Sequence, residues 1–220
     1  MEIFTIYGLD YIVRWAHFLA GITWIGLLYY FNFVQTEYFK EAEDAHRAGA
    51  IRTLVPRALW WFRWGAMFTF LTGVLLLAYR HQIISFDITI GAVLGTLMFL
   101  NVWLIIWPNQ KIVIASANQV AEGGEALPEA AGAAPKAALA SRTNTLFSLP
   151  MLFFMGSSAH FSHGLVLSAS PVALVIVMLI ILALEGNAIA GKQGPLTTVR
   201  GVIGSGVGLT VVLYGVMVCL

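Results

Sequence analysis

Histidine is the residue type in this chain best suited to chemistry, and His17, His81, His160 and His163 lie near the ends of apolar stretches. Imidazole is the commonest neutral side-chain ligand for haem iron and for copper or zinc, and a ligand carried on a membrane helix is held in place by packing. The positions predict that His17, about two turns into the first apolar stretch, and His160, near the exit of the fourth, reach a similar depth, as an edge-on haem between helices requires. His160 and His163 are three apart and predict a shared helix face, which suits a mononuclear or dinuclear copper site better than the two sides of one haem. Arg14, three residues before His17, supplies a cation on the same sector for a haem propionate or an anionic substrate. The plainer alternative for each is a hydrogen-bonded interior histidine, or an arginine reaching the interface. Glu185 is the one acid well inside an apolar stretch and offers a proton-transfer group, with Asn187 or a loop lysine as its structural partner.

These residues must be positioned by membrane helices. Of the 220 residues, 59% are hydrophobic and 10% charged, against roughly a quarter charged in a soluble domain. A span needs about 20 apolar residues, and six stretches approach that length: 11–34, 59–79, 88–107, 146–165, 172–190 and 201–219. The fold class is therefore all-α, an integral membrane bundle of about six transmembrane helices, with residues 1–220 forming one domain. Pro150 falls in the predicted first turn of the fourth helix, where the missing N–H costs nothing. Lys40, Arg47, Arg52, Arg57, Lys111, Lys136, Arg142, Lys192 and Arg200 collect in the first, third and fifth connections, whereas the other side offers Arg80, with Arg14 just inside the first helix. Cytoplasmic loops hold the excess of Lys and Arg, so both termini are expected to be non-cytoplasmic. Trp60, Trp61, Trp64, Trp103 and Trp107 then form a belt at the cytoplasmic interface.

The first connection, residues 35–57, alternates acids and bases and predicts a short surface helix. The third, within 109–145, is rich in Ala, Gly and Pro and predicts a flexible cytoplasmic loop. Gly91-x-x-x-Gly95 and Gly204-x-x-x-Gly208 permit close helix approach, within the bundle first and in a homo-oligomer second. A net charge of +1 gives no field for nucleic acid, and the single Cys219 excludes a disulfide framework and a Cys-x-x-Cys-His haem attachment within these residues, so a haem here is held non-covalently.

The run from Arg14 through His17, Gly21 and Trp24 to Gly26 resembles the first helix of the membrane domain of bacterial PuuD-type urate oxidases, or urate hydroxylases. Phe62-Arg63-Trp64-Gly65 with Thr72-Gly73, Ile106-Trp107-Pro108-Asn109-Gln110, and Arg142 and Asn144 followed by Leu149-Pro150-Met151 extend the likeness in the family's order. The first helix is also similar to that of HemJ-type protoporphyrinogen oxidases, whose helix-one histidine ligates haem b. The resemblances imply a multi-pass protein of the bacterial inner membrane with haem b on His17. The family's C-terminal cytochrome c domain has no counterpart in these residues, which implies a separate electron-transfer protein as partner. Residues and resemblance together lead to the expectation of a membrane redox protein that holds haem b through His17 and His160; the alternatives are a non-catalytic accessory subunit of a larger membrane complex and a metal or small-solute carrier using His160 and His163.

Overall fold

The computed structural model describes residues 2–79 and 84–220. Six long helices carry the chain back and forth: α1 Ile6–Glu41, α2 Asp44–Tyr79, α3 Phe86–Ala121, α4 Ala130–His160, α5 Pro171–Ala190 and α6 Val199–Cys219. No strand occurs among the described residues, only one isolated antiparallel bridge between Ser85 and Leu165. Four of the helices start on a hydroxyl cap. Thr5, Ser85, Ser170 and Thr198 accept from the backbone N–H three residues on, satisfying donors that a helix start otherwise leaves bare.

Five helices, α1, α2, α3, α5 and α6, are long and apolar enough to cross a membrane. The sixth, α4, lies against α3, α6, α5 and the end of α1. Its polar strip Arg142, Thr143, Asn144, Thr145 and Ser148 is buried in protein rather than turned to lipid, so this helix has no need of a uniformly apolar surface. The all-α membrane bundle expected from composition is thus the observed fold.

The helix lengths correct the expected loops. At about 1.5 Å per residue, the 36-residue helices α1, α2 and α3 run well past a hydrocarbon core of about 30 Å. Their excess lies at one end of the bundle, called here the extended end; the opposite, short-loop end carries the starts of α1, α3 and α5 and the ends of α2, α4 and α6. The expected short surface helix of residues 35–57 is the continuation of α1 to Glu41 and the first turns of α2 from Asp44. The expected flexible loop of 109–145 is largely helix: α3 continues to Ala121 and α4 begins at Ala130. Between them Leu127 N–H donates to Ser116 Oγ at 3.0 Å, tying the turn back onto α3. Pro150 is likewise not in a first turn, because α4 starts twenty residues earlier. It leaves the Leu146 carbonyl without its helical donor, and Gly206 of α6 packs directly over that carbonyl, where an added Cβ would sit 3.2 Å away.

Two π-helical turns interrupt long helices, Tyr30–Gln35 in α1 and Asn101–Ile106 in α3. Each turns a buried asparagine onto α4: Asn32 donates to Ser141 Oγ at 2.8 Å, and Asn101 to Asn144 Oδ1 at 3.0 Å. The polar strip of α4 is clasped from both sides. Gly91 and Gly95 let α3 close on Met151 and Met155 of α4, whereas Gly204 and Gly208 have nothing of the described chain within 4 Å of an added Cβ.

Packing is uneven along the bundle. From Ile6 to Thr23 no residue of α1 is buried, and from Phe70 to Tyr79 none of α2, while α3 is buried from its first residue, Phe86. The half of the α1–α2 pair nearest the short-loop end therefore stands as a two-helix wing. Its last aromatic link to the body is Phe70 stacked on Phe99, with centroids 4.2 Å apart.

Candidate functional site

His17 sits in this wing. Its Nδ1 lies 3.0 Å from Thr72 Oγ1 across the α1–α2 interface. The threonine hydroxyl has one proton, within reach of the Phe68 carbonyl at 2.6 Å and the Thr69 carbonyl at 3.1 Å, and the His17 ring also hydrogen-bonds to the Thr69 backbone. With the hydroxyl proton on either carbonyl, Thr72 accepts from Nδ1–H, the tautomer in which Nε2 is unprotonated. Gly73 makes room for the ring, since a Cβ there would stand 3.2 Å from His17 Cε1. A ring oriented through one nitrogen, with the other unprotonated, is the arrangement a metal-ligating histidine uses. Arg14, expected to meet an anionic ligand, is ion-paired to Asp10 at 2.5 Å, one turn back on α1.

His163 belongs to a different neighbourhood. Its Nδ1 is 3.0 Å from Asp87 Oδ1, and its backbone N–H donates to Asp87 Oδ2 at 2.9 Å. Ser157 Oγ donates to Asp87 Oδ1 at 2.6 Å. The carboxylate is wholly buried, at 0% exposure, and a buried charge is tolerable where its lone pairs are filled in this way. The loop bearing His163 is held in register with the start of α3 by two backbone bonds, Phe86 N–H to Gly164 O at 3.1 Å and Val166 N–H to Ile84 O at 3.0 Å. Gly164 supplies the positive φ, 94°, that this tight return requires. Phe161 and Tyr214 stand across the imidazole, with centroids 4.7 and 5.3 Å from it.

His160 is the last residue of α4, exposed and without a side-chain hydrogen bond to a described residue. Because the helix ends there and Phe161 turns out of it, His160 and His163 do not share the helix face that their spacing predicts. The side-chain contacts join His17 to α2 and His163 to α3 and α6, and among the described residues no group of three or more His, Cys, Asp or Glu is placed to hold a metal ion. The expected set of His17, His160 and His163 is thus not assembled as one cluster. His81 and Arg80 lie outside the described residues.

Glu185 is paired neither with Asn187 nor with a lysine. Its Oε2 accepts from Asn101 Nδ2 at 3.1 Å, inside the network set by the second π-helical turn. Asn187 instead caps the end of α5 through the Lys192 backbone. The tryptophans of the expected belt interlock between α2 and α3: Trp64 meets Trp103 at 5.7 Å, and the Arg63 guanidinium lies 3.8 Å over Trp107. Trp60 and Trp61 remain on the surface.

Asp87 was not singled out by the sequence. The available signal was an acid two residues after a Ser cap, which reads as an ordinary helix start; its partner stands 76 positions away.

Residues 81–190, half of the 220, match the family described as urate oxidase N-terminal. The matched segment holds Asp87, Ser157, His160 and His163; His17 and Tyr214 lie outside it. No curated protein and no solved structure matches the chain.

Proposed function

The chain belongs to the urate oxidase N-terminal family, and from that premise we propose that this urate-oxidase-like membrane domain holds haem b on His17 and passes electrons to a separate electron-transfer protein. One observation carries the reading: His17 is fixed through Nδ1 by Thr72, faces Gly73 and keeps Nε2 for a ligand. Haem bound there supplies one-electron chemistry that the side chains of this chain do not. The protein's share is orientation and burial. Thr72 sets the tautomer, Gly73 admits the ring, and Phe18, Leu71 and Leu75 of the same helices are exposed apolar side chains that a haem face can cover.

The test is the absorption spectrum of the purified protein in lipid nanodiscs. A Soret band that shifts on reduction and is lost in His17→Ala, with the variant still monodisperse, is the expected result. A colourless preparation after expression with excess haem overturns the reading, as does an unchanged band in His17→Ala. The same proposal places the extended end, with its Lys and Arg, in the cytoplasm of a bacterial inner membrane. Cys219, the only cysteine, should then react with a membrane-impermeant maleimide on spheroplasts before lysis rather than after it.

A further inference from the structure

We propose that His163, oriented by Asp87, is the base that accepts an N–H proton from a planar, weakly acidic purine-type substrate at the short-loop end of the bundle, an assignment that rests on the urate-oxidase reading above. The geometry begins with the carboxylate. Asp87 is wholly buried and takes three hydrogen bonds, two of them from His163 itself. An ionised carboxylate only accepts, so Nδ1 is the protonated nitrogen and Nε2 carries a lone pair. No described residue hydrogen-bonds to that Nε2.

Such a pair does more than close a loop. A carboxylate behind an imidazole fixes its tautomer and stabilises the cation that forms when the far nitrogen takes a proton. Ser157 does not complete a nucleophilic triad, because its hydroxyl points to Asp87 and to the Phe154 carbonyl and not to the imidazole. Among the described residues, the titratable groups facing His163 are Asp87 from α3 and Tyr214 from α6; α4 contributes the neutral Ser157, and the loop contributes Phe161. Phe161 and Tyr214 meet the imidazole at 90° and 78° and lie nearly parallel to each other, 23° apart with centroids at 6.4 Å, so the base sits beside an aromatic pair of the kind a planar heterocycle can pack against. The side chain of His163 keeps 21% exposure while that of Asp87 keeps none, so the base is reachable and its partner is not.

The location agrees with the family match. Asp87, Ser157 and His163 all fall within the matched residues 81–190, and His17 does not. The step is a proton transfer alone: the substrate N–H bond breaks, an Nε2–H bond forms, the electron pair stays on the substrate ring, and Asp87 balances the imidazolium. His163 is the catalytic residue, and Asp87 a positioning residue.

The experiment uses the full chain in nanodiscs and urate as the probe, with binding measured by equilibrium dialysis and urate loss followed with ferricyanide as terminal acceptor. Wild type is expected to bind urate, His163→Ala to bind at least tenfold more weakly and to lose urate consumption, and added imidazole to restore consumption in that variant. Asp87→Asn keeps the shape but permits the other tautomer, so consumption should fall at least a hundredfold while binding changes less. Failure of wild type to bind urate overturns the assignment, as does equal binding and consumption in His163→Ala or a loss that imidazole does not rescue. The Soret band is read on the same samples, so a missing haem and a missing urate site are told apart.

Discussion

The wing formed by α1 and α2 and the body formed by α3, α4 and α6 each present an imidazole toward the short-loop end, and they hold it by different means. In the wing, His17 leans on the neutral Thr72 hydroxyl and the Thr69 backbone between two helices with no fully buried residue over that stretch. In the body, His163 is gripped twice by a fully buried carboxylate and its loop is laced to α3 by backbone bonds. A neutral hydroxyl orients a ring without adding charge, which suits the proposed role of a ligand to haem. A buried carboxylate adds a charge that matters only if the ring becomes a cation, which suits a proton acceptor. The division is one of electrostatics: the two histidines are similar in type and differ in what stands behind them.

The contrast breaks most readily at Asp87. Replacing it by Leu removes the acceptor of three donors; Ser157 keeps the Phe154 carbonyl, and the backbone N–H and Nδ1–H of His163 lose this partner. Each donor left unsatisfied costs about 1–3 kcal/mol, so Asp87→Leu, which strands two, should lower the thermal midpoint in nanodiscs more than any other single change named here. A melt superimposable on wild type would show that the body does not depend on this carboxylate.

Helix contact sharpens the same comparison. A Cβ on Gly91 would meet Met155 Cγ at 2.8 Å and the Met155 backbone nitrogen at 3.2 Å, whereas one on Gly204 meets nothing within 4 Å. Overpacking costs about 1–3 kcal/mol. Gly91→Ala should therefore destabilise by that amount, and Gly204→Ala should leave the midpoint level or slightly raised, since alanine is the better helix former. Equal effects at both positions would mean that Gly204 is packed by a second copy, which cross-linking through that face would reveal.

Much of this frame could be read from residue order. Apolar length located the helices, and Lys and Arg grouped on alternate connections marked the extended end. The helical layer beyond the membrane escaped notice because its Ala-rich segments, such as 130–140, carry little large apolar surface and pack by contact with long neighbours rather than by any pattern of their own. His17 was legible as a lone polar group in an apolar run. Asp87 with His163 was not, because a carboxylate–imidazole hydrogen bond between residues 76 positions apart leaves no local trace. The three-residue spacing of His160 and His163 misled for a related reason: periodicity assumes that the helix continues, and α4 ends between them.

Thr72→Val tests the wing. It deletes the hydroxyl that holds His17 Nδ1, and a lost side-chain hydrogen bond costs about 1 kcal/mol, well below the expected loss at Asp87. Groups that orient a ligating histidine typically govern affinity by roughly 10–100-fold. Haem titration of Thr72→Val should show weakening in that range with the fold intact, and His163-dependent urate binding should stay at the wild-type level. If urate binding falls in step with haem, the wing and the body do not work as separate sites.

Arg14 gives the smallest effect and the sharpest reading of what the wing does with charge. The guanidinium is about one-third exposed and already ion-paired to Asp10 four residues away on the same helix. Exposed pairs of this kind are worth about 0–1 kcal/mol, so Arg14→Gln should scarcely move the thermal midpoint. Its haem occupancy discriminates further. With Asp10 as the resident partner, occupancy per protein should match wild type, and Asp10→Asn should behave alike. A several-fold loss of the Soret band in Arg14→Gln, set against none in Asp10→Asn, would mean that the cation leaves Asp10 for an acidic group of the bound ligand, which would make the charge on α1 part of the site rather than a local helix pair.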